Sequence, residues 1–156
     1  MLDDCDLEER WRQVDDLITR WLRERQSLIV QFCGISGVHA FAPQKVNRNQ
    51  RLERFCETLV DYVSAGHFEV YYELLREAES FRDGSSELAR SVFPALHAST
   101  QTALEFHDRY EQGKLESNAD LLARDLSRLG ETLAARFELE DRLIAGMHSA
   151  HRDLVA

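Results

Sequence analysis

The residues of this chain best suited to chemistry are its histidines and carboxylates, because such side chains on facing helices can hold a di-iron centre. His67 lies beside Phe68, and residues 136–141 read Arg-Phe-Glu-Leu-Glu-Asp. Of the six histidines, only His148 and His151 have close helical spacing, and no Glu-x-x-His pair is repeated along the chain. The sequence therefore predicts neither a metal nor a cofactor.

Residues 136–141 are similar to the His-Phe-x-x-Glu-Glu element of hemerythrins, except that Arg136 stands where a ligand histidine would be. A hemerythrin-like metal or oxygen sensor is therefore an alternative function, which metal analysis would test. Motifs for covalent catalysis and nucleotide binding are missing, since the chain has no Gly-x-Ser-x-Gly, P-loop or Gly-x-Gly-x-x-Gly. These patterns predict a protein that is not an enzyme and has no small-molecule substrate.

The chain is acidic, with a formal net charge of −9 over 156 residues. Nucleic-acid phosphates would repel such a surface, so direct binding of DNA or RNA is not expected. An acidic surface suits a protein partner with a basic face, although it also simply keeps a protein soluble. Length and composition fit one domain over residues 1–156, without a linker or an internal repeat.

The three cysteines, Cys5, Cys33 and Cys56, form no Cys-x-x-Cys pair. Their odd number favours a reducing compartment, and Cys56 lies on an apolar stripe and is expected in the core. Residues 1–4 lack the basic and apolar pattern of an export signal. Because no apolar stretch approaches the roughly 18 residues that span a bilayer, we expect a cytoplasmic protein without a membrane segment.

Four helices are predicted from apolar residues that recur at spacings of three and four. They cover residues 7–32, 49–81, 87–112 and 119–151. Gly34 and Gly37 are expected to end the first helix. Long amphipathic helices with mostly short connections predict an all-α fold, an up-down-up-down four-helix bundle.

Two of these helices are expected to be irregular. Ser64-Ala65-Gly66 lies in the middle of the second helix, where glycine costs up to about 1 kcal/mol. This small-residue hinge predicts a kink, a break or a close approach of two backbones. Pro94 lies inside the third helix, where its missing N–H predicts a kink.

Polar side chains surround the hinge: Asp61, Tyr62 and His67 lie within a few residues of it. One interpretation is a structural network inside the bundle that uses Asp61 or His67. Arg136 and Glu140 are the partners expected for that network.

The other interpretation is a partner-binding patch at the same place. Its aromatic anchors would be Tyr62, Phe68 and Tyr71, which are residue types that fill interface hot spots. The residues alone leave both interpretations open, and network residues could also orient such a patch.

Two long runs of residues are more specific than these patterns. Residues 59–71 read Leu-Val-Asp-Tyr-Val-Ser-Ala-Gly-His-Phe-Glu-Val-Tyr, and residues 135–144 read Ala-Arg-Phe-Glu-Leu-Glu-Asp-Arg-Leu-Ile. Both runs resemble the Rsd/AlgQ family, the regulators of sigma D. Residues 16–22 and 55–59 add to the resemblance, which extends over nearly the whole chain.

The resemblance implies an anti-sigma factor, which covers region 4 of the primary sigma factor. Region 4 contacts core RNA polymerase and reads the promoter −35 element, so covering it favours alternative sigma factors when growth slows. By the motif match, the sigma-binding residues would be Asp61 at the centre with Tyr62, Ser64, His67, Phe68 and Tyr71 around it. Glu138 and Asp141 would extend the acidic surface. A signalling adaptor that docks on other cytoplasmic regulators is a further alternative.

Overall fold

The computed structural model describes residues 2–35, 48–81, 85–111 and 119–155, which are almost entirely helical. The α-helices are α1 (Leu2–Ile35), α2 (Arg48–Ala65), α3 (Tyr71–Phe81), α4 (Ser85–Tyr110) and α5 (Ala119–Val155), and a π-helical segment, Gly66–Val70, joins α2 to α3. No strand occurs within these ranges, so the predicted all-α class is confirmed.

The first helix is longer at both ends than the sequence predicted. α1 begins at Leu2 and runs through Gly34 to Ile35, so the prediction that Gly34 ends this helix is wrong. The side chain of Ile35 is only 3% exposed. Its burial in the core stabilises the extra helical residues, because tertiary packing outweighs the low helix propensity of one glycine. Gly37 lies outside the described residues.

The predicted second helix is one continuous helical stretch made of α2, the π-helical segment and α3. The N–H of Tyr71 donates to the carbonyl of Gly66, which is the five-residue spacing of a π-helix. A Cβ on Gly66 would lie 3.0 Å from Nη2 of Arg136 and 3.1 Å from Cζ2 of Trp21. The hinge therefore needs glycine because this backbone approaches two side chains closely.

Pro94 lies inside α4, and the helix continues on both sides of it. The proline ring has no N–H, so the carbonyl of Arg90, four residues earlier, loses its helical donor. α4 passes the proline without ending, and the kink predicted there stays a prediction.

The apolar stripes of the helices meet in one core. Buried residues that the periodicity predicted include Val14, Ile18, Trp21 and Leu28 of α1, Leu52, Phe55, Cys56, Leu59 and Val63 of α2, and Leu122, Leu126, Leu129 and Leu133 of α5. Leu88 of α4, which recurs with Val92 and Leu96 at four-residue spacing and so was also expected in the core, is 40% exposed. None of the described helices is both long and apolar enough to cross a bilayer.

The π-helical segment lies where several helices meet. α1 packs on α2, α4 packs on α5, and both α2 and α3 contact α4. α3 also contacts α5, and the π-helical segment touches α1 and α4. Side chains from every helix can therefore converge beside the hinge.

Candidate functional site

Glu140, a carboxylate with 0% exposed surface, is the centre of a hydrogen-bonded network in the core. It accepts from Oη of Tyr62 and from Oη of Tyr71, each at 2.5 Å, on the two sides of the hinge. It also accepts from Nη2 of Arg25 at 3.0 Å and from Nε of Arg136 at 3.1 Å. One carboxylate of α5 thus binds groups from α1, α2 and α3.

Arg25 carries the network from the core to the surface. Its Nε donates to Oη of Tyr62 at 3.1 Å, and its Nη1 donates to the exposed Asp141 at 2.6 Å. Its guanidinium also lies over the ring of Phe137, with Cζ 4.8 Å from the ring centroid. Burial alone would lower the pKa of Arg25, but its contacts with Tyr62 and two carboxylates outweigh burial and raise it.

Arg136 is the second cation of the network, and it is 1% exposed. Its Nη1 donates to Oγ of Ser99 at 3.0 Å and to Oγ1 of Thr100 at 2.6 Å. These hydroxyls donate in turn to the carbonyl of Leu96, at 2.6 Å and 3.1 Å. α4 therefore joins the network through polar side chains that accept from a buried guanidinium.

The charges of the network balance, because Arg25 and Arg136 contribute +2 while Glu140 and Asp141 contribute −2. Its tyrosines stay protonated, since burial and then the charge of Glu140 raise the pKa of Tyr62, and both effects also act on Tyr71. A neutral hydroxyl can donate to the carboxylate, whereas a phenolate would repel it. Breaking such a buried charge pair is costly, so the network holds the helices in one arrangement.

Three carboxylates lie on the surface beside this network, with Arg20 close to them. Asp61, Glu24 of α1 and Glu69 of the π-helical segment are all exposed, and the first two directly precede network residues in the chain. The pKa of Glu24 is raised by partial burial and then by the negative charges of Asp61 and Glu69. Asp61 and Glu69 are therefore each close enough to Glu24 to repel its carboxylate, and nearby Arg20 partly offsets them. We call these three residues the acidic surface.

The residues predicted to bind a partner divide into surface and core. Asp61 is exposed and Ser64 is half-buried. Tyr62 and Tyr71 are 0% and 3% exposed, so here both lie in the network and offer little surface to a partner. The predicted network therefore exists with Arg136 and Glu140, but it uses the two tyrosines, and Asp61 lies on the surface instead of inside the bundle. The partner-binding patch stays a prediction.

The other predicted residues fall in three places. The side chains of His67 and Phe68 lie outside the described part of the structure. Glu138 and Asp141, the predicted acidic extension, have side chains that are 72% and 62% exposed on α5. Both are ion-paired: Asp141 with Arg25 at 2.6 Å, and Glu138 with Arg142 at the longer distance of 3.8 Å.

Arg25, Ser99 and Thr100 belong to the network but were not predicted from the sequence. Arg25 follows the buried Trp21 by four residues, and Thr100 follows the buried Leu96 by four. Each therefore lies on the apolar stripe of its helix. A polar residue at a core position of such a stripe is expected to have a buried partner, and this signal could have found them.

The metal-sensor alternative has an arginine where its histidine ligand would be. This arginine, Arg136, donates a hydrogen bond to Glu140, so a cation already pairs with the carboxylate that would otherwise be available as a ligand. Within the described ranges, the one group of three potential metal ligands whose ligand atoms all lie within 4.8 Å of one another is His107, Asp108 and Glu111. That group is near the C-terminal end of α4, and its two carboxylates are exposed.

Known proteins resemble this chain over most of its length. A family model described as "Regulator of RNA polymerase sigma(70) subunit, Rsd/AlgQ" matches residues 1–148. A protein of Yersinia enterocolitica named Regulator of sigma D is 38% identical over 132 residues, which cover 83% of this chain and 79% of that protein. A protein of the same name from Shigella dysenteriae is 37% identical over 147 residues, or 92% of each chain.

Proposed function

Because this chain belongs to the Rsd/AlgQ family, regulators of the sigma(70) subunit of RNA polymerase, we propose that it is an anti-sigma factor that binds region 4 of the primary sigma factor. Binding there blocks the contacts of sigma with core RNA polymerase and with the promoter −35 element, and so regulates transcription. The chain acts in the cytoplasm by binding alone, without a reaction, a cofactor or a nucleic-acid contact of its own.

The acidic surface is the observation that carries this proposal. Asp61, the residue to which we assign the central contact, lies in the run 59–71, and both it and Glu69 are close enough to act on the charge of Glu24. Region 4 contains a helix-turn-helix, which presents arginines and lysines to DNA phosphates and bases. A negative surface is complementary to that basic surface, so it favours encounter with region 4 and competes with DNA for it.

The network gives the acidic surface a fixed shape. Tyr62 directly follows Asp61 in the chain, and its hydroxyl is held on the buried carboxylate of Glu140. Preorganisation of this kind leaves fewer motions to be lost on binding, which favours association. We therefore assign Asp61 the central contact, and we assign Tyr62 and Tyr71 the role of supporting it.

Neighbouring side chains extend the proposed contact surface. Ser64, His67 and Phe68 belong to the same run as the central aspartate and complete the surface around it. Glu138 and Asp141 form an acidic extension on α5, where their exposure leaves room for a basic partner.

We also propose that the fold that carries this surface is a four-helix bundle. α2, the π-helical segment and α3 together form its second helix, bent near residues 64–66, and α4 bends at Pro94. Neighbouring helices in sequence also pack together, as α1 does with α2 and α4 with α5. Sequential neighbours with short connections are typical of an up-down-up-down bundle.

Replacing Asp61 by alanine tests the proposal. Titration of the full chain with an isolated region 4 fragment of the primary sigma factor should give a Kd at least about 30-fold higher, because a charge in a desolvated contact is worth about 2–5 kcal/mol. Since Asp61 is exposed, the free energy of unfolding of the variant should stay within about 0.5 kcal/mol of the wild-type value.

A matched control is Asp120→Ala, which removes the same charge from the exposed first turn of α5. Asp120 lies about 30 Å along that helix from Asp141, so its loss should leave the Kd within about twofold. If Asp61→Ala melts early but binds normally per folded molecule, Asp61 is a structural residue and the site assignment fails.

Salt dependence tests the electrostatic argument separately. The association rate should fall as ionic strength rises, because charge steers the encounter. A rate indifferent to salt would remove the acidic surface from the explanation. No binding of region 4 by the wild-type chain at low salt would refute the proposed function itself.

A further inference from the structure

A groove between α3 and α4 differs in chemistry from the rest of this acidic chain. It has a volume of about 500 Å³, and none of its lining residues belongs to the acidic surface. The chain has 28 aspartates and glutamates, yet among the described residues no carboxylate lines the groove. Its lining residues that can carry a positive charge are Arg90 and His97.

Aromatic and aliphatic carbon forms the walls of this groove. Tyr72 is 63% exposed, an unusual position for so large a ring. The rings of Tyr71 and Phe93 stack with their centroids 6.1 Å apart, and Leu75 and Pro94 complete the walls. A concave apolar site with a few polar groups at its edge is the usual composition of a small-molecule pocket.

Arg90 gives the rim of the groove hydrogen-bond donors that can bind a carboxylate. Its Nη2 donates to Glu79 at 2.7 Å, and both side chains are exposed. A guanidinium has five N–H donors, so Arg90 can keep this bond and still donate to a ligand. The fork of donors matches the two oxygens of a carboxylate.

We propose that this groove binds a small apolar acid, a molecule with an aromatic or short aliphatic body and one carboxylate. The volume fits such a ligand, since small-molecule sites measure roughly 300–1,000 Å³. The groove has seven lining residues, far fewer than the roughly 20–30 on each side of a stable protein interface. The body lies against Tyr72 and Phe93, and the carboxylate binds Arg90. This inference does not depend on sigma binding.

A matched pair of probes tests the proposal: 4-phenylbutyrate and its uncharged analogue 4-phenylbutanol. Each is titrated into the ¹⁵N-labelled full chain, and the amide shifts are followed. The acid should shift amides at Tyr72 and Phe93 to saturation, with an affinity about three- to tenfold higher than that of the alcohol. Arg90→Gln should remove this difference by weakening the acid alone, and Arg90→Lys should restore part of it.

Tyr72→Ser should weaken both probes, because it removes a wall of the groove. Arg90 and Tyr72 are both exposed, so their variants keep the fold. Val30→Ser, at a 60% exposed site on α1, is the matched control. Equal affinity for acid and alcohol, shifts spread over the whole surface, or an equal effect of Val30→Ser would each overturn the proposal. Concentration-dependent shifts of the groove amides without any probe would identify a second copy as the occupant, and would overturn it too.

Discussion

Replacing Glu140 by glutamine removes the buried negative charge of the network while nearly preserving its shape. Arg25 donates to one carboxylate oxygen of Glu140 and Arg136 donates to the other. Whichever oxygen becomes the amide nitrogen, one guanidinium then faces a donor. A tyrosine hydroxyl can turn to accept a hydrogen bond, but a guanidinium cannot. In either orientation Arg136, whose side chain is 0% exposed, becomes a buried cation without the negative charge of its partner.

The expected loss follows from that burial. Removing one partner of a buried ion pair destabilises a protein by about 3–5 kcal/mol. For a chain of 156 residues, each kcal/mol lowers Tm by about 2–4 °C, so Tm should fall by roughly 6–20 °C. Urea unfolding followed by far-UV circular dichroism at neutral pH measures the free energy directly.

Glu138→Gln is the control, because it makes the same change two residues earlier on α5 at a side chain that is 72% exposed. It should alter the free energy of unfolding by less than about 0.5 kcal/mol. A loss for Glu140→Gln below about 1 kcal/mol, or no larger than that of the control, would refute the account of the network. The double variant Arg136→Met/Glu140→Leu leaves neither of those two charges unpaired. Its loss in free energy of unfolding should therefore be smaller, by about 2 kcal/mol or more, than the summed losses of its two single variants.

Three further predictions concern the same core. Burial raises the pKa of Tyr62 and Tyr71. Above about pH 10 only the tyrosines of the unfolded chain ionise, so their contribution to stability is complete below that pH. Above it, the free energy of unfolding falls by about 1.4 kcal/mol per pH unit for each tyrosine. The urea midpoint should therefore fall as the pH rises through that range. If it falls as steeply in Tyr62→Phe, ionisation of Tyr62 is not the cause. Gly66→Ala should lower Tm, because overpacking costs about 1–3 kcal/mol of stability. Gly146→Ala should instead gain up to about 1 kcal/mol of stability, because its Cβ would meet only a leucine methyl at 3.4 Å. A stability change of the same sign in both variants would be inconsistent with the close contacts at Gly66. Burial raises the pKa of Cys56 to about 12, so mass spectrometry should find this thiol unalkylated at mildly alkaline pH in the native state and alkylated in urea, and native labelling would contradict its burial.

The helices themselves follow from local sequence. Val14, Ile18 and Trp21 recur at the spacing of one helix face, and all three are buried because that face must leave water. The family was also recognisable from residues alone, since the runs 59–71 and 135–144 are long and specific. The end of α1 was not predictable from Gly34, because burial of the next side chain outweighed the local preference of glycine.

Only the tertiary structure decided which polar side chains near the hinge face the core. In a regular α-helix, Tyr62 and Tyr71 are nine residues apart and would lie on opposite faces, about 180° from each other. The π-helical segment between them turns less per residue and removes roughly a quarter turn, which allows both hydroxyls to reach Glu140. The spacing of residues in the sequence gives no sign of this rotation of the helix face, because the rotation depends on Gly66 packing against side chains from α1 and α5.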